Sequence, residues 1–189
     1  MKKLLIAAAL ASTFMATSAF AQGYIGFGVG SATTRGANSS SGAVTVTGGD
    51  SSKGSTKIYG GFQFTPNWGL EGQYTDLGSR DYTVTTAGVV TGRGNARFSQ
   101  YSLAGTGTLP LGSNFALIGK LGVSANRANF PGSNNKTSAM AGVGVSYSIT
   151  PQLAVRLEYE DFGKFSDSNG FGGGSIRATN TSINLQYSF

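Results

Sequence analysis

The chain contains no cysteine and no histidine, and only four prolines. Without cysteine there is no disulfide framework and no thiol chemistry. Without histidine, the commonest general base and the commonest metal ligand are both missing. Long apolar runs are scarce as well. Beyond the N-terminal segment no stretch approaches the roughly 18 residues that a membrane-spanning helix needs. Charged residues make up only 12% of the chain and form no basic run, which excludes the clustered patch that holds nucleic acid. Glycine, by contrast, is abundant at 30 residues, and with so little proline this points to strands and turns.

The first 21 residues stand apart. Lys2 and Lys3 form a basic start, Leu4 to Ala16 are mostly apolar and small, and Ala19-Phe20-Ala21 supplies a small-x-small site. This is the pattern of a secretory signal peptide, and it predicts cleavage after Ala21 and export of residues 22–189 as a single domain. The formal charge of +6 includes Lys2 and Lys3, so the mature chain carries +4.

The rest of the chain alternates with a period of two, and no segment holds a helical period. In "GYIGFGVGSAT", Ile25, Phe27 and Val29 oppose Tyr24, Gly26, Gly28 and Gly30. In "TKIYGGFQFTP", Ile58, Phe62 and Phe64 oppose Lys57, Tyr59, Gly61 and Gln63. Six further segments behave alike, the last being "TNTSINLQYSF". The connections alternate: long around 35–55, 78–95, 127–136 and 163–175, short around 65–67, 110–114 and 150–152. Eight strands with long connections at one end and tight turns at the other predict an all-β fold, an eight-stranded antiparallel up-and-down transmembrane β-barrel. The long connections are rich in Gly, Ser, Thr and Asn and read as mobile loops.

Size decides which face points outward. Eight strands enclose a space that side chains fill. One face of these strands is mostly Gly, Ala, Ser, Thr, Asn and Gln, which fit there. The other carries Leu, Val, Ile, Phe, Tyr and Trp, which suit a lipid band with aromatic girdles. Trp68, Phe64, Phe115, Tyr147 and Phe189 fall near the short turns, with Tyr74, Tyr101 and Tyr159 further up.

The inward face also carries charge. "FTPNWGLEGQY" and "ITPQLAVRLEY" share a turn pattern, and counting from Trp68 and Leu153 puts Glu71 and Arg156 at one height. The same count from Phe115 puts Lys120 level with Glu158. The expected network is therefore two layers, Glu71 with Arg156 and Lys120 with Glu158, neutral overall and about 7 Å apart along a strand, with cross-pairing between them left open by the stagger of the barrel. Such a network plugs the barrel statically, gates it, or is merely a solvated charged face. Other cations, including Arg35, Lys57, Arg97, Arg127, Lys164 and Arg177, fall at or near the loop end, and Glu160 and Asp161 mark the exit of the seventh strand.

The stretches "GGFQFTPNWGLEGQYTDLG", "GKLGV" and "GVGVSYSITPQLAVRLEYEDFG", with the closing "LQYSF", resemble the OmpA-like transmembrane barrel over nearly all of the mature chain. The resemblance implies a stand-alone barrel without the periplasmic peptidoglycan-binding domain found in OmpA itself. It implies a Glu–Arg pair at Glu71 and Arg156. At the positions of the family's further gating Lys and Glu stand Thr106 and Ser146. Phe189, with Tyr187 and Leu185 behind it, is similar to the C-terminal signal read by the outer-membrane assembly machinery. Barrel enzymes of this compartment are expected to carry a catalytic histidine, which is absent. The expectation is a non-enzymatic, monomeric protein of the cell outer membrane with a structural or surface-interaction role. It needs no cofactor or metal, and its partners are membrane lipids and lipopolysaccharide. The alternative is a narrow gated pore for ions or small solutes.

Overall fold

The computed structural model describes residues 22–35, 37–41, 44–48, 51–86, 89–129, 134–164 and 177–189. The expected signal peptide lies outside them. Among the described residues are ten strands: β1 (Gln22–Arg35), β2 (Ala37–Ser41), β3 (Val44–Gly48), β4 (Ser51–Gln63), β5 (Trp68–Thr86), β6 (Val89–Gly112), β7 (Phe115–Asn129), β8 (Asn134–Ser148), β9 (Leu153–Lys164) and β10 (Arg177–Ser188). Eight of them, all but β2 and β3, form a closed antiparallel wall. The seam is β1 against β10, running from Tyr24 opposite Ser188 to Arg35 opposite Arg177. Closure leaves no unpaired edge in the wall, as lipid requires.

Alternation decides the wall's two surfaces. Outward positions such as Phe27, Trp68, Leu121 and Leu185 are exposed, Leu121 by 73%. Inward positions such as Lys57, Glu71, Gln100, Lys120, Arg156 and Asn184 are buried. A water-soluble protein has the reverse arrangement. The aromatic residues expected at the short-turn end, Phe64, Trp68, Phe115, Tyr147 and Phe189, all lie exposed on the outer surface.

Two connections differ from the sequence expectation. The segment read as a first mobile loop holds the hairpin β2–β3, and Val44–Thr47 pair with Thr83–Thr86 of β5. The second long connection is mostly strand: β5 and β6 continue as a paired ribbon to Thr86 and Val89. β6 has 24 residues, where a tilted spanning strand needs about 9–11. Thr, Val and Tyr in "DYTVTT" supply β propensity that the surrounding Gly and Ser disguise. The other two long connections fall largely outside the described residues.

The wall contains an internal repeat. Thr65-Pro66 and Thr150-Pro151 make the same turn. In one, the Phe64 amide donates to the Trp68 carbonyl at 2.9 Å and the Trp68 amide to Thr65 Oγ1 at 3.0 Å. In the other, Ile149 donates to Leu153 at 2.8 Å and Leu153 to Thr150 Oγ1 at 2.9 Å. Further up, "YTDLG" and "YEDFG" form matching bulges: Leu77-Gly78 stand opposite Phe98, and Phe162-Gly163 opposite Ala178. Gly78 and Gly163 have φ of 78° and 71°, which a residue with Cβ adopts only with strain. The first half (β1, β4, β5, β6) and the second (β7 to β10) thus correspond, and Glu71 and Arg156 occupy equivalent places three residues past Trp68 and Leu153.

Candidate functional site

The charges meet at mid-height in the lumen. Arg156 Nη1 is 3.0 Å from Glu71 Oε2, and Arg156 Nη2 also contacts Glu158 Oε1. Lys120 Nζ lies 2.5 Å from Glu71 Oε1, 2.9 Å from Glu158 Oε1 and 3.1 Å from Glu160 Oε1. Lys57 Nζ contacts Glu158 Oε2 and stands 3.1 Å from Glu160 Oε2. Three cations and three carboxylates therefore form one neutral, buried cluster.

The four residues expected from counting are brought together, but not as two separate layers. Lys120 and Arg156 each reach carboxylates at both counted heights, because the stagger of a closed barrel slides neighbouring strands past one another. Two members stand where the sequence reading did not place them. The sequence puts Lys57 at or near the loop end and Glu160 at the strand exit; both are buried in the cluster. The signal was available in the alternation, which puts both on the inward face. Their height was misjudged, because the wall continues above them to Lys164 and, through β4, to Ser51. Thr106 and Ser146 sit directly opposite Lys120 and Arg156 in the register.

Two tyrosines complete the cluster. The Tyr24 hydroxyl donates to Glu71 Oε2 at 3.0 Å. The Tyr59 ring has Lys57 Nζ at 5.2 Å, Lys120 Nζ at 5.6 Å and the Arg156 guanidinium carbon at 5.0 Å from its centroid, within cation–π range. Asn184 Nδ2 donates to Glu158 Oε2 at 3.3 Å, and Arg156 Nη1 to Gln186 Oε1 at 2.7 Å. These bulky groups fit because the facing side of β1 is glycine. A Cβ on Gly26 would lie 2.2 Å from the Tyr59 ring, and one on Gly28 would lie 1.9 Å from Asn184 Oδ1. Tyr59 cannot retreat from the cations around it. Gly26→Val is therefore expected to lower the urea unfolding midpoint by the equivalent of about 1–3 kcal/mol. Gly119→Ala, where an added Cβ meets nothing within 4 Å, should leave it unchanged.

The model of the outer membrane protein beta-barrel domain matches residues 4–189. The chain belongs to that family. OprG from Pseudomonas aeruginosa is similar in structure, with 14% identity and a TM-score of 0.58, covering 90% of this chain and 96% of OprG. Neisserial surface protein A (NspA) shares 20% identity with a TM-score of 0.55, covering 88% of this chain and 97% of NspA. Ail, the attachment invasion locus protein of Yersinia pestis, solved in complex with the heparin analogue sucrose octasulfate, shares 17% identity with a TM-score of 0.52, covering 88% of this chain and 99% of Ail. A comparison with curated protein sequences found no match.

As an outer-membrane barrel, the protein has its tight turns at the periplasmic end and its long connections outside the cell. On the periplasmic side of the cluster is a polar cavity of about 180 Å³, lined by Gln22, Tyr24, Thr106, Ser146, Arg156 and Gln186 among others. On the extracellular side is a feature that the sequence reading missed. Ala32, Leu77, Phe98, Met140, Phe162 and Ala178 form a buried apolar group at the level of the two bulges. Between it and the charges, Gln100 donates to Thr75 at 3.0 Å and Ser55 to Asn180 at 2.6 Å. The lumen is thus filled by an ionic layer capped by an apolar one.

Proposed function

We propose that the protein is a non-catalytic surface barrel whose lumen is plugged and whose working part is the material displayed outside the cell. The observation that carries this reading is the double closure of the lumen. The six-membered ionic cluster leaves no charge without a partner, and the Leu77, Phe98 and Phe162 side chains close the space above it. A gate built on Glu71 and Arg156 alone would open onto that apolar layer. Outside, the β5–β6 ribbon with β2 and β3 makes a projecting antiparallel sheet, which suits a role in contact with surroundings more than in passage of solutes. Outer-leaflet lipids and lipopolysaccharide are the partners nearest to this surface. Phe189, Tyr187 and Leu185 are the residues proposed to be read by the assembly machinery. The protein is proposed to act as a monomer in the membrane, since its spanning wall is closed and offers no free edge for pairing there.

Recording in planar bilayers tests the plug. The refolded protein is expected to be electrically silent, and Glu71→Ala is expected to be silent too, because the apolar layer remains. Resolved channel openings in the unaltered protein, or their appearance on Glu71→Ala alone, would favour the gated pore.

A further inference from the structure

The outer wall carries cations at the height of the two bulges, just above the upper tyrosines. On one side, Arg97 of β6 contacts Asp76 of β5, whose other oxygen accepts the Gly78 amide at 3.0 Å. One rung below and one strand over, Arg127 stands opposite Ser99, its guanidinium carbon 5.2 Å from the Tyr101 ring centroid. Tyr101 in turn packs on Tyr74 at 4.8 Å. On the opposite wall the repeat recurs. Arg177 of β10 contacts Asp161 of β9, and Asp161 accepts the Gly163 amide at 2.9 Å. Here the register sets Lys164 of β9, Arg177 of β10 and Arg35 of β1 in one row, directly opposite one another.

Arg97 and Arg177 are braced by their aspartates yet keep 66% and 64% of their side-chain surface exposed, so most of their donors face outward. Tyrosines below such a belt mark the boundary between acyl chains and headgroups. Oriented guanidiniums at that boundary match phosphate, which they bind through paired N–H donors.

We propose that this belt, Arg97 with Arg127 on one wall and Arg177 on the other, binds the phosphate groups of lipid A in the outer leaflet. The proposal rests on the reading of lipopolysaccharide as a partner and assigns that partner two sites on opposite walls. The aspartates are positioning residues. They hold Arg97 and Arg177 upright against the wall, and the bulge glycines hold the aspartates.

The test uses the full-length protein refolded in phosphatidylcholine nanodiscs and titrated with lipid A carrying both phosphates, chemically dephosphorylated lipid A, or phosphatidylglycerol. The double substitution Arg97→Ala with Arg127→Ala and the single substitution Arg177→Ala are each expected to weaken binding of phosphorylated lipid A by about fivefold per cation removed. Lys53→Ala removes the same charge from a position opposite the inward-facing Ala32 and should bind as the parent does. Dephosphorylated lipid A and phosphatidylglycerol should bind more weakly than phosphorylated lipid A. Equal losses with Lys53→Ala, or equal binding of the dephosphorylated lipid, would overturn the belt. A parent protein that binds no lipid A at all would overturn the partner itself. Should the double substitution fail to give the heat-modifiable folded band, the exposed single change Arg127→Ala carries the same expectation.

Discussion

Lys120→Met is expected to cost about 3–5 kcal/mol of stability, the penalty for removing one partner from a buried ion group. Lys120 is the cation that touches all three carboxylates, Glu71, Glu158 and Glu160. Without it, Arg156 and Lys57 face three negative groups in a lumen that water does not freely fill. Urea unfolding in lipid bilayers reads the loss as a shift in midpoint at unchanged slope. Adding Glu160→Gln should recover part of it, with a coupling of about 0.5–3 kcal/mol between neighbours of one network. Lys57→Met should cost less, since its carboxylates Glu158 and Glu160 keep Lys120. A Lys120→Met protein as stable as the parent would mean that the cluster tolerates a net charge, against the plug reading.

Phe162→Ala is expected to cost about as much, roughly 3–5 kcal/mol, for a different reason. The Phe162 ring is fully buried in the apolar layer, and its removal leaves a void bounded by strands that cannot close up without breaking the ladder. The bulge itself should survive. Its carbonyl accepts from Ser124 Oγ at 2.9 Å and Asn126 Nδ2 at 3.3 Å, and neither bond involves the ring. The measured loss therefore reports on the ring's packing. Bilayer recording on the same variant adds a second readout. Phe162→Ala should remain silent because the ionic layer still closes the lumen, whereas joining it to Leu77→Ala and Glu71→Ala removes both closures and is the combination expected to conduct.

The sites were legible to different depths. Period-two alternation told which face each residue takes, so Glu71, Lys120, Arg156 and Glu158 were assigned inward from sequence. Lys57 and Glu160 obeyed the same alternation and were still misplaced, because alternation carries no information on height once strand ends are uncertain. Leu77 and Phe162 were missed because an apolar side chain on an inward face reads as the end of the alternating pattern. Only the paired bulges, with Gly78 and Gly163 in left-handed conformation, explain why they remain inside. Repetition was the one long-range signal in the chain: "FTPNW" against "ITPQL" foretold equivalent turns and put Glu71 and Arg156 in equivalent places.

What the sequence determined by itself is the class of object: an exported chain with eight alternating segments, lipid-facing on one side and polar on the other. Two-residue periodicity and the width of an eight-stranded lumen suffice for that, since both are local properties of strands. Which charges meet was decided only by closure. The shear of the wall brings Lys57 on β4 to Glu158 and Glu160 on β9, and Lys120 on β7 to Glu71 on β5, across the lumen. No spacing along one strand encodes those distances, because they depend on how all eight strands slide when the first is joined to the last.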